Sequence, residues 1–153
     1  MTAVIQRVKH ASVEADGIPC GKCGKGLFIL LGVMKGDSTA DADALAAKIA
    51  KLRIFCDEKD KMNLSMPDIG GSALVISNFT LAAEYKKGNR PDYMRAAPPD
   101  EANTLYEYFI AKLAELSACP VESGRFGAHM EIDARMDGPI TIVMDSAVLT
   151  KKG

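Results

Sequence analysis

The stretch Ala73-Leu74-Val75-Ile76-Ser77-Asn78-Phe79-Thr80-Leu81 opens on small and apolar residues, two of them β-branched, and runs into two hydroxyls and an amide. Gly70-Gly71 punctuates its start, and the polar segment Glu84-Tyr85-Lys86-Lys87-Gly88-Asn89-Arg90-Pro91 follows its end. A short apolar run bounded by turn residues reads as a buried strand. One that turns polar at its end delivers hydrogen-bonding groups to the rim of a core. Regular alternation puts Leu74, Ile76, Asn78 and Thr80 on one face, and Val75, Ser77 and Phe79 on the other. The hydroxyls of Ser77 and Thr80 therefore do not converge unless the strand bends. What they share is backbone, whose N–H groups, freed where pairing stops, can face a developing oxyanion.

Around that strand the chain supplies more strands than helices. Thr2 to Ala15 alternates loosely and ends at Asp16-Gly17, a hairpin signal with Ile18 opening the return strand. Leu27 to Val33 is a continuous apolar run suited to a central strand. Ser38-Thr39 caps a helix whose apolar face is read from Leu45, Ile49, Leu52 and Cys56. Residues 57–71 form a polar connector with room for a short hairpin. Pro98-Pro99-Asp100-Glu101 starts a second helix with Leu105, Phe109, Leu113 and Leu116 as its buried face, closed by Cys119-Pro120. His129 to Arg135 alternates, Gly138-Pro139 reads as a turn, and Ile142-Val143-Met144 is a last strand. The expectation is one α+β domain over residues 1–153. Its core is a mainly antiparallel, barrel-like sheet covered by two main helices, and residues 147–153 are a loose tail.

At 48% apolar and 25% charged the 153-residue chain has an ordinary globular composition, and its net charge of −1 argues against a bulk nucleic-acid coat. The absence of a spanning apolar run or leader points to the cytoplasm. Cys20 and Cys23 form a C-x-x-C, but Cys56 and Cys119 stand apart and the only histidines are His10 and His129, so no zinc site is expected. A redox pair would gain from a following helix N-terminus, whereas Gly24-Lys25-Gly26 leads into a strand. The glycines from Gly21 to Gly26 also lack the spacing of a phosphate loop. With both histidines in strand-like patterns and no G-x-S-x-G elbow, a serine-hydrolase triad finds no support.

Several of these segments resemble, in order and spacing from residue 1 to about 145, the D-aminoacyl-tRNA deacylases. Ser77-Asn78-Phe79-Thr80-Leu81 is similar to their S-Q-x-T-L motif, and Asp137-Gly138-Pro139-Ile140-Thr141 to most of N-x-G-P-[VIL]-T. Further matches are Ile5-Gln6-Arg7-Val8, Lys61-Met62-Asn63-Leu64, Arg90-Pro91 and Gly124-Arg125-Phe126. Asn78 stands where the family usually has Gln, and Met136 where it has Asn. The resemblance implies a homodimer without a cofactor or metal that hydrolyses the ester between a D-amino acid and tRNA. Ser77, Asn78, Phe79 and Thr80 would form the catalytic strand end. Backbone N–H groups near Phe79 and Thr80 would hold the oxyanion. A cis Gly138-Pro139 from the partner would screen chirality, with Phe126 and Met130 lining the pocket. Lys86, Lys87, Arg90 and Arg125 are tRNA-contact candidates. The rival expectations are a non-catalytic tRNA- or RNA-binding module, a related deacylase of mischarged L-aminoacyl-tRNA, and a thiol-dependent protein using Cys20 and Cys23.

Overall fold

A computed structural model describes residues 1–150. The first strand, β1 (Thr2–Ala15), organises the sheet because both of its edges are used. On one edge it pairs antiparallel with β2 (Ile18–Cys23) and β3 (Gly26–Gly32), and on the other with β8 (Met130–Asp145). Its loose alternation has a physical cause. Regular pleating puts Ile5 and Val8 on opposite faces, and a register shift against β8 between Val8 and His10 then keeps Ala11 and Val13 on Val8's face.

The stretch read first as a buried strand is β6 (Ser72–Ser77), paired parallel with β3 on one side and with β7 (Val121–Ser123) on the other. Parallel neighbours need crossovers. Here the crossovers carry α1 (Thr39–Ala50) and α2 (Pro99–Ser117), so the sheet is mixed, with its antiparallel pairing concentrated on β1. Sheet and helices enclose Ile5, Leu27, Ile29, Leu31, Val75, Leu45, Ile49, Phe109 and Leu113. The opposite face gathers Val8, Val13, Phe28, Leu74 and Ile76 into a second cluster. This explains why β3 and the interior of β6, Ala73 to Ile76, are apolar without alternation: each is buried on both faces. Burying a side chain the size of Phe109 stabilises by about 1.5–3 kcal/mol. The sheet curls almost shut where β2 meets β7. Lys22 N–H donates to Glu122 at 3.2 Å, and a Cβ on Gly21 would lie 2.3 Å from the Ser123 carbonyl. Gly21 and Gly26 thus serve close backbone approach, to Ser123 and Ser72, whereas a Cβ on Gly24 would meet no neighbour.

Three boundaries differ from the sequence reading. Helix α1 stops at Ala50, so Leu52 and Cys56 leave its face. The chain reverses to bury Phe55 in the small hairpin of β4 (Phe55–Cys56) and β5 (Met62–Leu64). In α2 the buried row passes from Leu113 to Ser117, whose hydroxyl donates to the Leu113 carbonyl at 2.7 Å, and Leu116 faces water. Tyr106, beside Leu105, is buried in its place. Residues 147–150, expected within a loose tail, are helical in α3 (Ser146–Thr150). That helix is anchored where Ser146 Oγ donates to Asp41 Oδ1 at 2.7 Å. Positions 151–153 of the expected tail lie outside the described residues.

Gly138-Pro139 is not a hairpin turn. Strand β8 stays paired with β1 on both sides of it, Thr141 opposite Gln6 and Met136 opposite Val8. Residues 137–140 therefore face Arg7 alone and bulge outward, since proline has no N–H for the ladder. The Gly138–Pro139 bond is cis. Arg7 braces the bulge: Nε donates to the Asp137 carbonyl at 2.9 Å, and one terminal nitrogen donates to the Ile54 carbonyl at 2.9 Å.

Candidate active site

β6 ends at Ser77 because the next residue leaves the ladder. Asn78 N–H makes a last backbone bond to the Leu31 carbonyl at 2.9 Å, and a 3₁₀ turn, Phe79–Ala82, follows at once. The Asn78 side chain caps that turn. Its Oδ1 accepts from the Thr80 N–H at 3.2 Å and from the Thr80 hydroxyl at 2.5 Å. Two consequences correct the sequence reading. Alternation does not continue to Thr80, because the turn rotates it away from the cleft. The Thr80 N–H, expected as an oxyanion donor, is here bonded to Asn78 Oδ1. The Phe79 N–H has no hydrogen-bond partner among the described residues. It is the open donor at the strand end.

A cleft of about 620 Å³ lies there. Ser77, Asn78 and Phe79 form one side, and Phe126 and Met130 another. Its third wall is a segment that sequence reasoning read only as loop and helix start, from Tyr93 through Ala96 and Ala97 to Pro98 and Pro99. That wall is stitched in place by Ala97 N–H to the Val33 carbonyl at 3.0 Å and Lys35 N–H to the Arg95 carbonyl at 2.9 Å. Phe79 and Tyr93 meet edge to face, centroids 5.1 Å apart, at its mouth. The only signal for this wall was the Pro98-Pro99 pair, which fixes where α2 begins. Below the strand end, Tyr106 donates its hydroxyl to the Val75 carbonyl at 2.7 Å and packs 6.0 Å from the Phe126 ring. Burial pushes the Tyr106 phenol up to about 12, so it holds its proton as a structural donor.

The lining is apolar apart from Ser77, Asn78, Lys35, the Tyr93 phenol and backbone, and includes no imidazole or carboxylate. A nucleophile in need of a neighbouring base is poorly served here, whereas a reaction that needs one fixed donor and a dry wall is well served. The other expected residues are more dispersed. Gly138 and Pro139 sit on the exposed bulge and do not line their own chain's cleft. Lys86, Lys87 and Arg90 ride on an exposed arm, and Arg125 is ion-paired with Asp16 of the β1–β2 turn. Cys20 is exposed while Cys23 is buried, and burial pushes the Cys23 thiol up to about 11, the reverse of a reactive thiolate. Among the described residues no group of His, Cys, Asp and Glu is placed to hold a metal ion, and no helix is long and apolar enough to cross a membrane.

Residues 4–145 match the model of the family described as D-Tyr-tRNA(Tyr) deacylase. The chain belongs to this family. A relative from Ruegeria pomeroyi, named D-aminoacyl-tRNA deacylase, is 58% identical over 145 residues, covering 95% of this chain and 99% of its own length. Another of that name, from Persephonella marina, is 53% identical over 149 residues, covering 97% and 100%. Among solved structures, the c-Myc DNA Unwinding Element Binding Protein superposes with a TM-score of 0.88 at 35% identity, covering 95% of this chain and 98% of that one. The fold is shared further with a chain described as a probable eukaryotic D-amino acid tRNA deacylase, at a TM-score of 0.77 and 16% identity over 94% and 99%.

Proposed function

We propose that this protein hydrolyses the ester joining a D-amino acid to the terminal adenosine of tRNA, releasing free D-amino acid and tRNA, as a chiral proofreading enzyme of the cytoplasm. The observation that carries the mechanism is the unpartnered Phe79 N–H at the mouth of a cleft that no imidazole or carboxylate lines. A water adds to the ester carbonyl, and the carbonyl oxygen, becoming an oxyanion, accepts from Phe79 N–H. Collapse expels the ribose oxygen, which takes up a proton. That proton is the one the attacking water gives up, relayed through the vicinal 2′-hydroxyl, which accepts it and passes its own to the departing oxygen. Thr80 takes no covalent part, since its hydroxyl already donates to Asn78.

Selectivity requires a second copy of the chain. Among the described residues no strand pairs with the outer edge of β8, and Ile132, Met136 and Val143 on that strand are exposed. A homodimer through this face would bring Gly138 and Pro139 of one copy to the cleft of the other, where their carbonyls form a wall against the L side chain. Favourable contacts to one methylene discriminate by only about 1–3 kcal/mol, whereas a rigid wall rejects more strongly. The single domain then contributes half of each of two sites.

The test is loss of the ester from matched D- and L-tyrosyl-tRNA. Rapid release from the D form alone is expected. Release from neither would sink the hydrolase reading, and equal release from both would sink the chirality wall. A second reading, a nucleic-acid-binding module without activity, draws on the name of the 35%-identical structural neighbour. It predicts tRNA binding with the ester intact.

A further inference from the structure

Between the 3₁₀ turn and α2 the chain makes an excursion, residues 84–95, that neither cluster of the core explains. It is a hairpin arm pinned at its base by reciprocal bonds, Glu84 N–H to the Asp92 carbonyl at 2.9 Å and Asp92 N–H to the Glu84 carbonyl at 3.0 Å. The arm starts beside Phe79 and returns beside Tyr93, so its root is the rim of the cleft. Three large apolar side chains here face water: Phe79 at 59% exposure, Tyr85 at 79% and Met94 at 69%. Folding alone gives no reason to leave them there. The arm carries four basic residues (Lys86, Lys87, Arg90 and Arg95) against two acids (Glu84 and Asp92), in a chain whose net charge is −1. Arg95 pairs with Glu84 at 3.8 Å, while Lys86, Lys87 and Arg90 have no ion-pair partner among the described residues.

Exposed aromatic rings interleaved with free cations are what unpaired nucleotides require, π-faces for the bases and positive charge for the phosphates. We propose that this arm docks the unpaired nucleotides preceding the terminal adenosine of tRNA, with Tyr85 as a stacking platform and Lys86, Lys87 and Arg90 on the phosphates. The inference rests on the deacylase reading for the adenosine's place in the cleft, and it names how the rest of the single-stranded end is held. The size fits. Residues 84–92 enclose a loop of seven residues, bent over 86–90, large enough to face more than one nucleotide.

The experiment compares wild type, Tyr85→Ala and Tyr85→Phe on two esters, D-tyrosyl-tRNA and 3′-O-D-tyrosyl-adenosine, which has no upstream nucleotides. Binding of uncharged tRNA is measured beside tRNA trimmed of its unpaired 3′ nucleotides. Tyr85→Ala should lose roughly 5- to 150-fold in kcat/KM on the tRNA ester through KM, the range for one base on one ring, and Tyr85→Phe should restore it. The adenosine ester should report no such loss. Wild type should bind whole tRNA more tightly than trimmed tRNA, and Tyr85→Ala should erase that difference. Equal losses on both esters, no loss on either, or a trimmed tRNA bound as well as the whole would each overturn the proposal. If wild type cleaves neither ester but its binding preference persists and depends on Tyr85, the docking surface stands and the hydrolase reading falls.

Discussion

Replacing Asn78 by alanine removes the acceptor that holds the 3₁₀ turn at the strand end. Two hydrogen bonds vanish, to the Thr80 N–H and to its hydroxyl. Each is worth about 0.5–1.5 kcal/mol net, and the site is only half-buried, so the sum is about 1–2 kcal/mol. What this cap fixes is the direction of the Phe79 N–H, whose partner, the oxyanion, exists only in the transition state. The loss should therefore fall on kcat rather than KM, roughly 5- to 30-fold. Asn78→Asp separates capping from catalysis. Aspartate caps as well as asparagine, so thermal stability should hold, yet it sets a negative charge beside a developing one and should slow turnover further. Single-turnover hydrolysis of D-tyrosyl-tRNA and thermal melting of the same samples provide the check. An Asn78→Ala enzyme turning over within about twofold of wild type would refute the reasoning, because an unfixed donor cannot be preorganised.

Other outcomes follow from the same geometry. Thr80→Ala should keep turnover within about threefold of wild type, since only a hydroxyl bonded to Asn78 is lost, whereas loss of all activity would restore the covalent nucleophile. Gly138→Ala places a Cβ 2.2 Å from the Ile140 nitrogen, so the bulge must shift, and the D-over-L rate ratio on tyrosyl-tRNA should collapse; an unchanged ratio would remove this loop from the selectivity model. Alkaline stability should fall on a predictable schedule. Burial raises the Cys23 thiol from 9.0 to about 11 and the Tyr106 phenol from 10.0 to about 12, so the unfolded chain loses those protons first. The stabilisation is complete below about pH 9 and declines as pH rises towards 11–12, about 2.5 kcal/mol being lost between pH 8 and 10.5. Urea unfolding at those two pH values should show a steeper loss for wild type than for Cys23→Ala, and parallel losses would contradict the assignment.

Much of this was written locally in the chain. The runs Leu27 to Leu31 in β3 and Ala73 to Ile76 in β6 are apolar at every position because both faces are covered, and composition alone reports that. The capped start of α1 and the proline start of α2 are signalled by one or two residues each, as is the Asp16-Gly17 turn. The sequence by itself also located the strand end at Ser77 to Thr80 and, by its motifs, the family. It left undecided whatever depends on a partner distant in sequence. Alternation predicts a straight Ser77–Thr80, but the Asn78 side chain reaches two residues ahead and turns the backbone, which moves the open donor to Phe79 alone. Gly138-Pro139 reads as a hairpin until β1 is seen to supply one residue, Arg7, opposite four. The cleft's third wall and the solvent-facing arm at its rim are set by hydrogen bonds from Val33 and Lys35 to a segment some sixty residues on. Pairings over that separation leave no period in the local sequence. Only the folded chain brings them together.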